Sequence, residues 1–458
     1  MAGTSELPDR LPASVAVGFG VGTIGVSIML NAVTAYFPAY MSTVLGKSTD
    51  MAGILLMASK LYDVIADLVI GSLSDRTRSR WGRRRPYLLA GALLSAASFL
   101  MIFTAPDLGD RGIWIYMMAA LILYSTGYSL FNVPYMAMPS EMTSSRYERS
   151  RLLSVRTVFV SIGQVLAMAG TAALISAGGA GAHGYAIMAW TMGLIIVTAM
   201  ALSFFGTANA PAPAVKPREH VPFSLRTVLS NRPFMLLMGA KLFQFLAFAS
   251  TATTSLLFML NVLHVGYTGQ MQLALVQNIA GALSMPGWLW LERKTGKRNA
   301  YLVGIVFMCI TSISWLIAGS GIGLGGLAVR GVLGGIGAGG MILLSISMLS
   351  DALAHDRDIT GMQREGLLSS LAAVIEKTSF ALGVAIIGGF LSLAHYVPTK
   401  NGQLVQQPAS AVSALYTCFA LLPVALFLLN ALCIWFYPLG ARSREHLITV
   451  IDPEPAAS

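Results

Sequence analysis

Long apolar runs determine what this chain can fold into. Runs of about 20 apolar residues, the length a helix needs to cross the roughly 30 Å core of a bilayer, recur about twelve times. Hydrophobic residues make up 55% of the 458 residues and charged residues only 11%, unlike the composition of a soluble domain. We therefore predict an all-α, multi-pass membrane protein. The predicted spans begin near Ser14, Met51, Tyr87, Ile113, Leu152, Tyr185, Pro233, Thr268, Ala300, Gly321, Leu367 and Ala409.

Lysine and arginine are concentrated in the loops that follow even-numbered spans. These basic loops are residues 76–85, 146–151, 216–232 and 293–298. Loops after odd-numbered spans, such as 106–111 and 180–183, carry few cations. Because loops rich in lysine and arginine stay in the cytoplasm, we expect an inner-membrane protein with both termini cytoplasmic. The formal net charge of +10 comes from these loops, so it favours contact with the lipid bilayer and no nucleic-acid partner.

A proline-rich segment divides the chain near its middle. Four prolines and mixed charge between residues 209 and 232 are typical of a linker. We predict an N-terminal six-helix bundle over 1–208, a cytoplasmic linker over 209–232, a C-terminal six-helix bundle over 233–438 and a cytoplasmic tail over 439–458. Each half also has a loop in which an acid and a base precede a glycine and a basic cluster. The loop residues are Asp75, Arg76, Gly82 and Arg83 in the first half, and Glu292, Arg293, Gly296 and Lys297 in the second.

The second span contains three charges within apolar sequence, Lys60, Asp63 and Asp67. A charge at membrane depth costs roughly 2.5 to 3.5 kcal/mol on insertion scales, so it persists where it faces a cavity, a partner charge or an ion. Asp63 and Asp67 lie one helical turn apart and share a face. Two close carboxylates in a dry cavity are ionised together only at high cost unless a cation lies between them. This pattern predicts cation-coupled transport; the alternative is simple ion pairing with Lys60, Arg156 or Lys377.

Four segments of the chain resemble one transporter family. They are residues 60–67 (KLYDVIAD), 78–87 (RSRWGRRRPY), 132–156 and 364–377. The acid–base–glycine loops are similar to the signature of the major facilitator superfamily, in which the acid caps a neighbouring helix and the loop clamps one conformation. The four segments together resemble the glycoside-pentoside-hexuronide cation symporters. This resemblance implies about twelve transmembrane helices in two six-helix bundles, symport of a sugar or glycoside by alternating access, and no enzymatic activity or cofactor.

The resemblance also implies a cation site at Asp63 and Asp67, supported by the hydroxyl of Ser129. In the sodium-using members an amide side chain stands at the position of Ala66. Because a hard cation needs several oxygen ligands, alanine at this position favours a proton as the coupling ion. Sodium bound at the two aspartates is the alternative, and we expect no resident metal.

The substrate contacts are predicted by the same resemblance. Lys377 lies between the cation site and the substrate in the family; the alternative is local neutralisation by Glu376, although adjacent residues of a helix point about 100° apart. Arg156 matches a sugar-contacting arginine, and its alternative is a side chain that reaches to the membrane interface. Asn132 and Tyr128 add hydrogen-bonding and aromatic groups to the predicted substrate site.

The substrate itself stays open at this stage. The galactoside carriers of the family present a lysine and an aspartate where this chain has Ile24 and Gly25. A glycoside, a pentoside and a hexuronide are all compatible with the motifs. The alternatives are a carrier of a lysophospholipid-like amphipathic substrate and a membrane sensor that binds ligand without transport. Lys241 has no family counterpart and is either an interfacial or a cavity charge. We expect a monomer.

Overall fold

The structure, a computed structural model, consists of helices. It describes residues 11–143, 145–208, 210, 231–319, 321–360, 365–403 and 405–438. Most of the predicted linker over 209–232, and the whole predicted tail over 439–458, lie outside the described residues.

Within the described residues, twelve long helices begin within a few residues of the predicted spans. The first six are α1 (Ala13–Ala39), α2 (Thr49–Arg76), α3 (Arg85–Phe103), α4 (Asp110–Met142), α5 (Arg146–Val165) and α6 (Ala182–Gly206). The second six are α7 (Arg232–Asn261), α8 (Gly266–Thr295), α9 (Lys297–Ser314), α10 (Leu324–Thr360), α11 (Glu365–Leu393) and α12 (Ala409–Tyr416, continued by Leu422–Trp435). π-Helical turns extend α1 (Tyr40–Val44), connect α5 to Thr171–Ala177 (Leu166–Gly170) and join the two parts of α12 (Thr417–Leu421).

Ten of these helices are long and apolar enough to cross a membrane by length and composition alone, in the part of the chain that the structure describes. The other two are α2 and α8. The first contains the charges predicted to bind the cation, and the second contains a series of glutamines. The two polar helices therefore depend on their neighbours to shield their polar side chains from lipid.

The helices form two bundles with matching internal contacts. In the first bundle α4 packs against α2 and α3, and in the second α10 packs against α8 and α9. The two bundles meet mainly where α2 contacts α11, where α1 contacts α7 and where the segment that follows α5, residues 166–177, contacts α8. The prediction of a major facilitator superfamily fold is confirmed.

Small residues allow α2 and α11 to approach closely. A Cβ atom added to Gly388 would lie 2.5 Å from the carbonyl oxygen of Thr49, and one added to Gly53 would lie 3.0 Å from the carbonyl oxygen of Val384. Thr49 also donates a hydrogen bond from Oγ1 to the Gly388 carbonyl at 3.0 Å. Such small-residue contacts are the usual way in which membrane helices pack.

The loop between α11 and α12 closes the bundles at one end. We call this end the non-basic end. The opposite end, which carries the loops after α2, α4 and α8, we call the basic end. Three backbone N–H groups donate to carbonyls of the turn after α1: Thr399 to Ser42 (2.7 Å), Asn401 to Val44 (2.9 Å) and Gly402 to Thr43 (2.8 Å). The side-chain oxygen of Asn401 also accepts from the N–H of Ala182, which begins α6, at 3.0 Å. Asn401 and Gly402 have φ angles of 53° and 73°, which asparagine and glycine tolerate best.

We predict that Asn401→Ala loosens the non-basic end. The substitution removes the bond to α6 and places alanine in a left-handed conformation, so loss of about 1 kcal/mol should raise the open population about fivefold. The distance between spin labels on the exposed residues Asp107 and Leu324 measures this opening. Gln403→Ala in the same loop is the matched control. An unchanged distance distribution in Asn401→Ala would show that this loop does not hold the end closed.

Candidate cation and substrate site

Lys377 of α11 lies between the two aspartates of α2. Its Nζ is 2.8 Å from Oδ2 of Asp63 and 2.5 Å from Oδ2 of Asp67. The one-turn spacing of the aspartates places both carboxylates on the face of α2 that meets α11. The Asp63 side chain is 3% exposed, whereas those of Asp67 and Lys377 are each 27% exposed. One ammonium group therefore bridges two carboxylates across the boundary between the bundles.

Ser129 of α4 contacts the same two carboxylates from the other side. Its Oγ is 3.0 Å from Oδ1 of Asp63 and 2.6 Å from Oδ1 of Asp67. A hydroxyl has a single proton, so it donates to one carboxylate at a time. The three residues predicted as the cation site are thus brought together, and ion pairing of the aspartates occurs through Lys377.

Aromatic rings of α4 face the lysines of this cluster. The Nζ of Lys60 lies 5.5 Å from the centre of the Tyr124 ring, and that of Lys377 lies 5.9 Å from the centre of the Tyr128 ring. Both distances allow cation–π attraction, which is stronger where water is scarce. Lys60 is itself buried.

A second ion pair lies beside the first. The Nζ of Lys241 on α7 is 2.5 Å from Oε1 of Glu376 on α11. Lys241 is 3% exposed, so its charge stays inside the bundle and does not reach the membrane interface. Glu376 therefore pairs with α7, while the next residue, Lys377, pairs with α2.

A cavity of about 330 Å³ lies between the two bundles at this cluster. Its walls come from α1, α2 and α4 of the first bundle and from α7 and α11 of the second. The lining residues are Leu30, Asn31, Thr34, Lys60, Asp63, Tyr128, Phe245, Glu376, Lys377 and Phe380. A pocket of this size, apolar with a few convergent polar groups, is typical of a small-molecule site.

Two of the predicted substrate contacts line this cavity and two do not. Tyr128 and Lys377 are in its wall. Asn132 lies one turn further along α4, and Arg156 lies on α5, where its side chain contacts the Tyr135 hydroxyl. Arg156 also has a buried Nε without a hydrogen-bond partner in the described part of the chain.

Five lining residues of functional interest were not predicted from the sequence. They are Asn31, Thr34, Phe245, Phe380 and Glu376. Of these, only Glu376 gave a signal, as a charge in an otherwise apolar span. An asparagine, a threonine or a phenylalanine in a membrane helix cannot be told from a packing residue by sequence alone.

The predicted conformational loop of the first half is held by arginines. Arg84 lies 2.5 Å from Asp75 and 2.9 Å from Glu141 of α4, and Arg83 lies 2.5 Å from the same glutamate. Among the described residues, Asp75 therefore contacts the start of α3. Arg76 is exposed.

The loop of the second half is fastened at the equivalent place. Lys297 lies 2.7 Å from Asp351 of α10. Glu292 accepts a hydrogen bond from Ser347 of the same helix at 3.4 Å, and Arg293 is exposed. Since α10 corresponds to α4 in the repeat, each basic loop is fixed within its own bundle.

Comparison with known proteins shows similarity along nearly the whole chain. The chain is 27% identical to the glucuronide carrier protein homolog of Escherichia coli K12, over 95% of this chain and 94% of that protein. It is 23% identical to the isoprimeverose transporter of Lactiplantibacillus pentosus, over 94% and 89%. Among solved structures, tetrameric PepTSo2 has a TM-score of 0.66 at 15% identity and covers 94% of this chain and 99% of its own, which supports the fold.

The family assignment follows from the extent of the match. The family described as MFS/sugar transport protein matches residues 18–441, which is nearly the whole described chain. This range includes both bundles and the charged cluster. The chain therefore belongs to the MFS/sugar transport protein family, and its predicted relation to the glycoside-pentoside-hexuronide cation symporters is confirmed.

Proposed function

We propose that this protein is a secondary active transporter that couples symport of a sugar or glycoside to a cation. The observation that carries the proposal is the bridge from Lys377 to Asp63 and Asp67 at the wall of the central cavity. A single movable charge there links the cation site, the substrate cavity and the boundary between the bundles. The relatives named as a glucuronide carrier protein homolog and as an isoprimeverose transporter support a glycoside as the solute.

The coupling step follows from electrostatics. The Lys377 ammonium occupies the point between the two carboxylates that a shared cation would take. A proton on one aspartate, or a sodium ion between them, replaces part of this attraction and weakens the hold on Lys377. Because the lysine belongs to the second bundle and the aspartates to the first, cation binding loosens the contact between the bundles. Each charge that moves inward through 100 mV contributes about 2.3 kcal/mol to transport.

The proton is our preferred coupling ion. The position beside the aspartates is occupied by Ala66, which is buried and offers no oxygen. Ser129 supplies the hydroxyl, and sodium would need further oxygen ligands from water or substrate. Sodium remains the alternative ion.

The orientation follows from the positive-inside rule. The basic end lies in the cytoplasm of an inner-membrane protein, so the closed, non-basic end faces outward. In the cycle that we propose, Lys377 returns to the two aspartates after the ions have left toward the cytoplasm. Asn132 and Arg156, away from the cavity wall, contact the solute along its path.

The basic-end loop residues Asp75, Arg76, Arg83, Glu292 and Arg293 adjust the balance between states.

We predict that Asp63→Asn and Asp67→Asn abolish uphill uptake but leave solute exchange. Either change removes a carboxylate that must bind the coupling cation, whereas exchange needs only the cavity. Current and internal pH in proteoliposomes, recorded for a panel of glycosides, pentosides and hexuronides with and without sodium, measure the effect. Asp107→Asn, in an exposed loop, is the control. Uphill uptake in the double variant would contradict the assignment of the cation site to these aspartates. Absence of current and of pH change in the wild type with every solute of the panel would favour a lysophospholipid-like substrate.

We also predict that the Lys377→Gln variant binds the coupling cation at least about tenfold more tightly than the wild type. Removal of a neighbouring positive charge favours another cation between the carboxylates. The same variant should lose coupled uptake, since no charge then links the two bundles. Proton uptake and ²²Na⁺ binding by the purified protein measure the affinity. Arg111→Gln, an exposed cation at the non-basic end, is the control. Weaker cation binding in Lys377→Gln would contradict the proposed competition.

A further inference from the structure

Glu376 presents a carboxylate to the central cavity with a lysine enclosed behind it. The Glu376 side chain is 30% exposed and lines the cavity, while Lys241 is 3% exposed. The contact between them joins Lys241 Nζ to Oε1 of Glu376 at 2.5 Å. The lysine fixes one carboxylate oxygen, and a carboxylate has two oxygens with several acceptor positions. Acceptor capacity therefore remains toward the cavity.

Helix stability alone does not account for this pair. The desolvation of a buried lysine and a half-buried carboxylate offsets much of their attraction, and a well-packed apolar pair often stabilises a protein as well or better. Charges inside membrane spans usually face the bundle interior and mark a substrate or ion pathway. The position of Glu376 at a cavity wall fits such a role.

Two phenylalanines flank the pair on the same helix faces. Phe245 follows Lys241 by one turn of α7, and Phe380 follows Glu376 by one turn of α11. Both line the cavity, and Asn31 faces them from α1. A carboxylate accepts hydrogen bonds from the hydroxyl groups of a sugar, and apolar ring faces pack against its C–H groups. The combination therefore suits a sugar.

The six charged side chains that line the cavity or pair with one of its lining residues balance one another. Lys60, Lys241 and Lys377 carry three positive charges, and Asp63, Asp67 and Glu376 carry three negative charges. A neutral solute leaves this balance intact. The carboxylate of a hexuronide next to Glu376 would add a like charge at short range, which disfavours both ionised groups.

We infer that Glu376 is a substrate-binding residue that accepts hydrogen bonds from hydroxyl groups of a neutral glycoside, and that Lys241 is its positioning residue. The inference rests on the proposed function and narrows its substrate class. The solute then binds Glu376, and the cation binds the aspartates that pair with Lys377, so the two ligands act on consecutive residues of α11. Both ligands therefore bias the position of the same helix.

The test uses neutral methyl glycosides and their matched methyl uronides as probes, such as methyl β-D-glucoside with methyl β-D-glucuronide. We expect the wild type to transport neutral members in preference to their uronides. Hydrogen bonds to a charged acceptor are strong, so Glu376→Gln should raise the KM of the best neutral probe about tenfold or more. The ratio of cations to solute should stay as in the wild type. Asp358→Asn, an exposed acid of the same bundle, is the control.

The charge-swapped variant Lys241→Glu/Glu376→Lys distinguishes substrate contact from a structural role. It restores an ion pair between α7 and α11 but directs a cation into the cavity. We expect it to recover the thermal stability lost in Glu376→Gln without recovering KM. Recovery of KM, preference of the wild type for a uronide, or loss of coupling with unchanged KM in Glu376→Gln would each overturn the inference. If no probe of the wider panel is transported, the proposed function fails, and this inference fails with it.

Discussion

A charge at membrane depth needs a partner of opposite sign, and the centre of this molecule depends on that constraint. Consecutive residues of α11 satisfy it in different directions. Lys377 reaches across the bundle boundary to two aspartates of α2, while Glu376 reaches within its own bundle to Lys241 of α7. As a result α11 is tied to both halves of the protein. A ligand that replaces the contact of Lys377 with the aspartates changes how the two halves are held together.

The other contacts of the bundles differ in strength between the two ends of the molecule, and this difference suits alternating access. At the non-basic end the bundles are joined by neutral hydrogen bonds, such as those of Asn401, each worth about 1 kcal/mol. At the basic end, ionic contacts such as Arg84 with Glu141 and Lys297 with Asp351 lie within single bundles. Apart from the bridge from Lys377 to the aspartates, the contacts between the bundles that break in each cycle are therefore weak ones. The charged loop contacts keep each bundle intact as it moves.

Much of this architecture could be predicted from the sequence, because span length, loop charge and the internal repeat are local signals. The grouping of Asp63, Asp67 and Ser129 could also be predicted, since one-turn spacing and family motifs point to it. The pairing of Glu376 with Lys241 could not, because it joins residues 135 positions apart whose helices meet only in the folded bundle.

Other features of the site escaped prediction for related physical reasons. The cavity surface on α1 and the phenylalanine rings are made of residue types that also pack helices, so no sequence signal separates the two uses. Arg156 was expected in the substrate site from a motif. It lies on α5 beside Tyr135 and outside the cavity wall, so its contact with the solute stays a prediction.

In the mechanism that we propose, a cation on the aspartates frees Lys377 and so releases the bundles. The most direct test is the distance between spin labels on Asp107 and Leu324 at the non-basic end, recorded without solute while pH is lowered or sodium is added. We expect the cation to increase the open population in the wild type and to have no effect in the Asp63→Asn/Asp67→Asn double variant. A wild-type distance distribution that does not change with either ion would contradict this mechanism. A distance distribution of the double variant that still changes with the ion would contradict it as well.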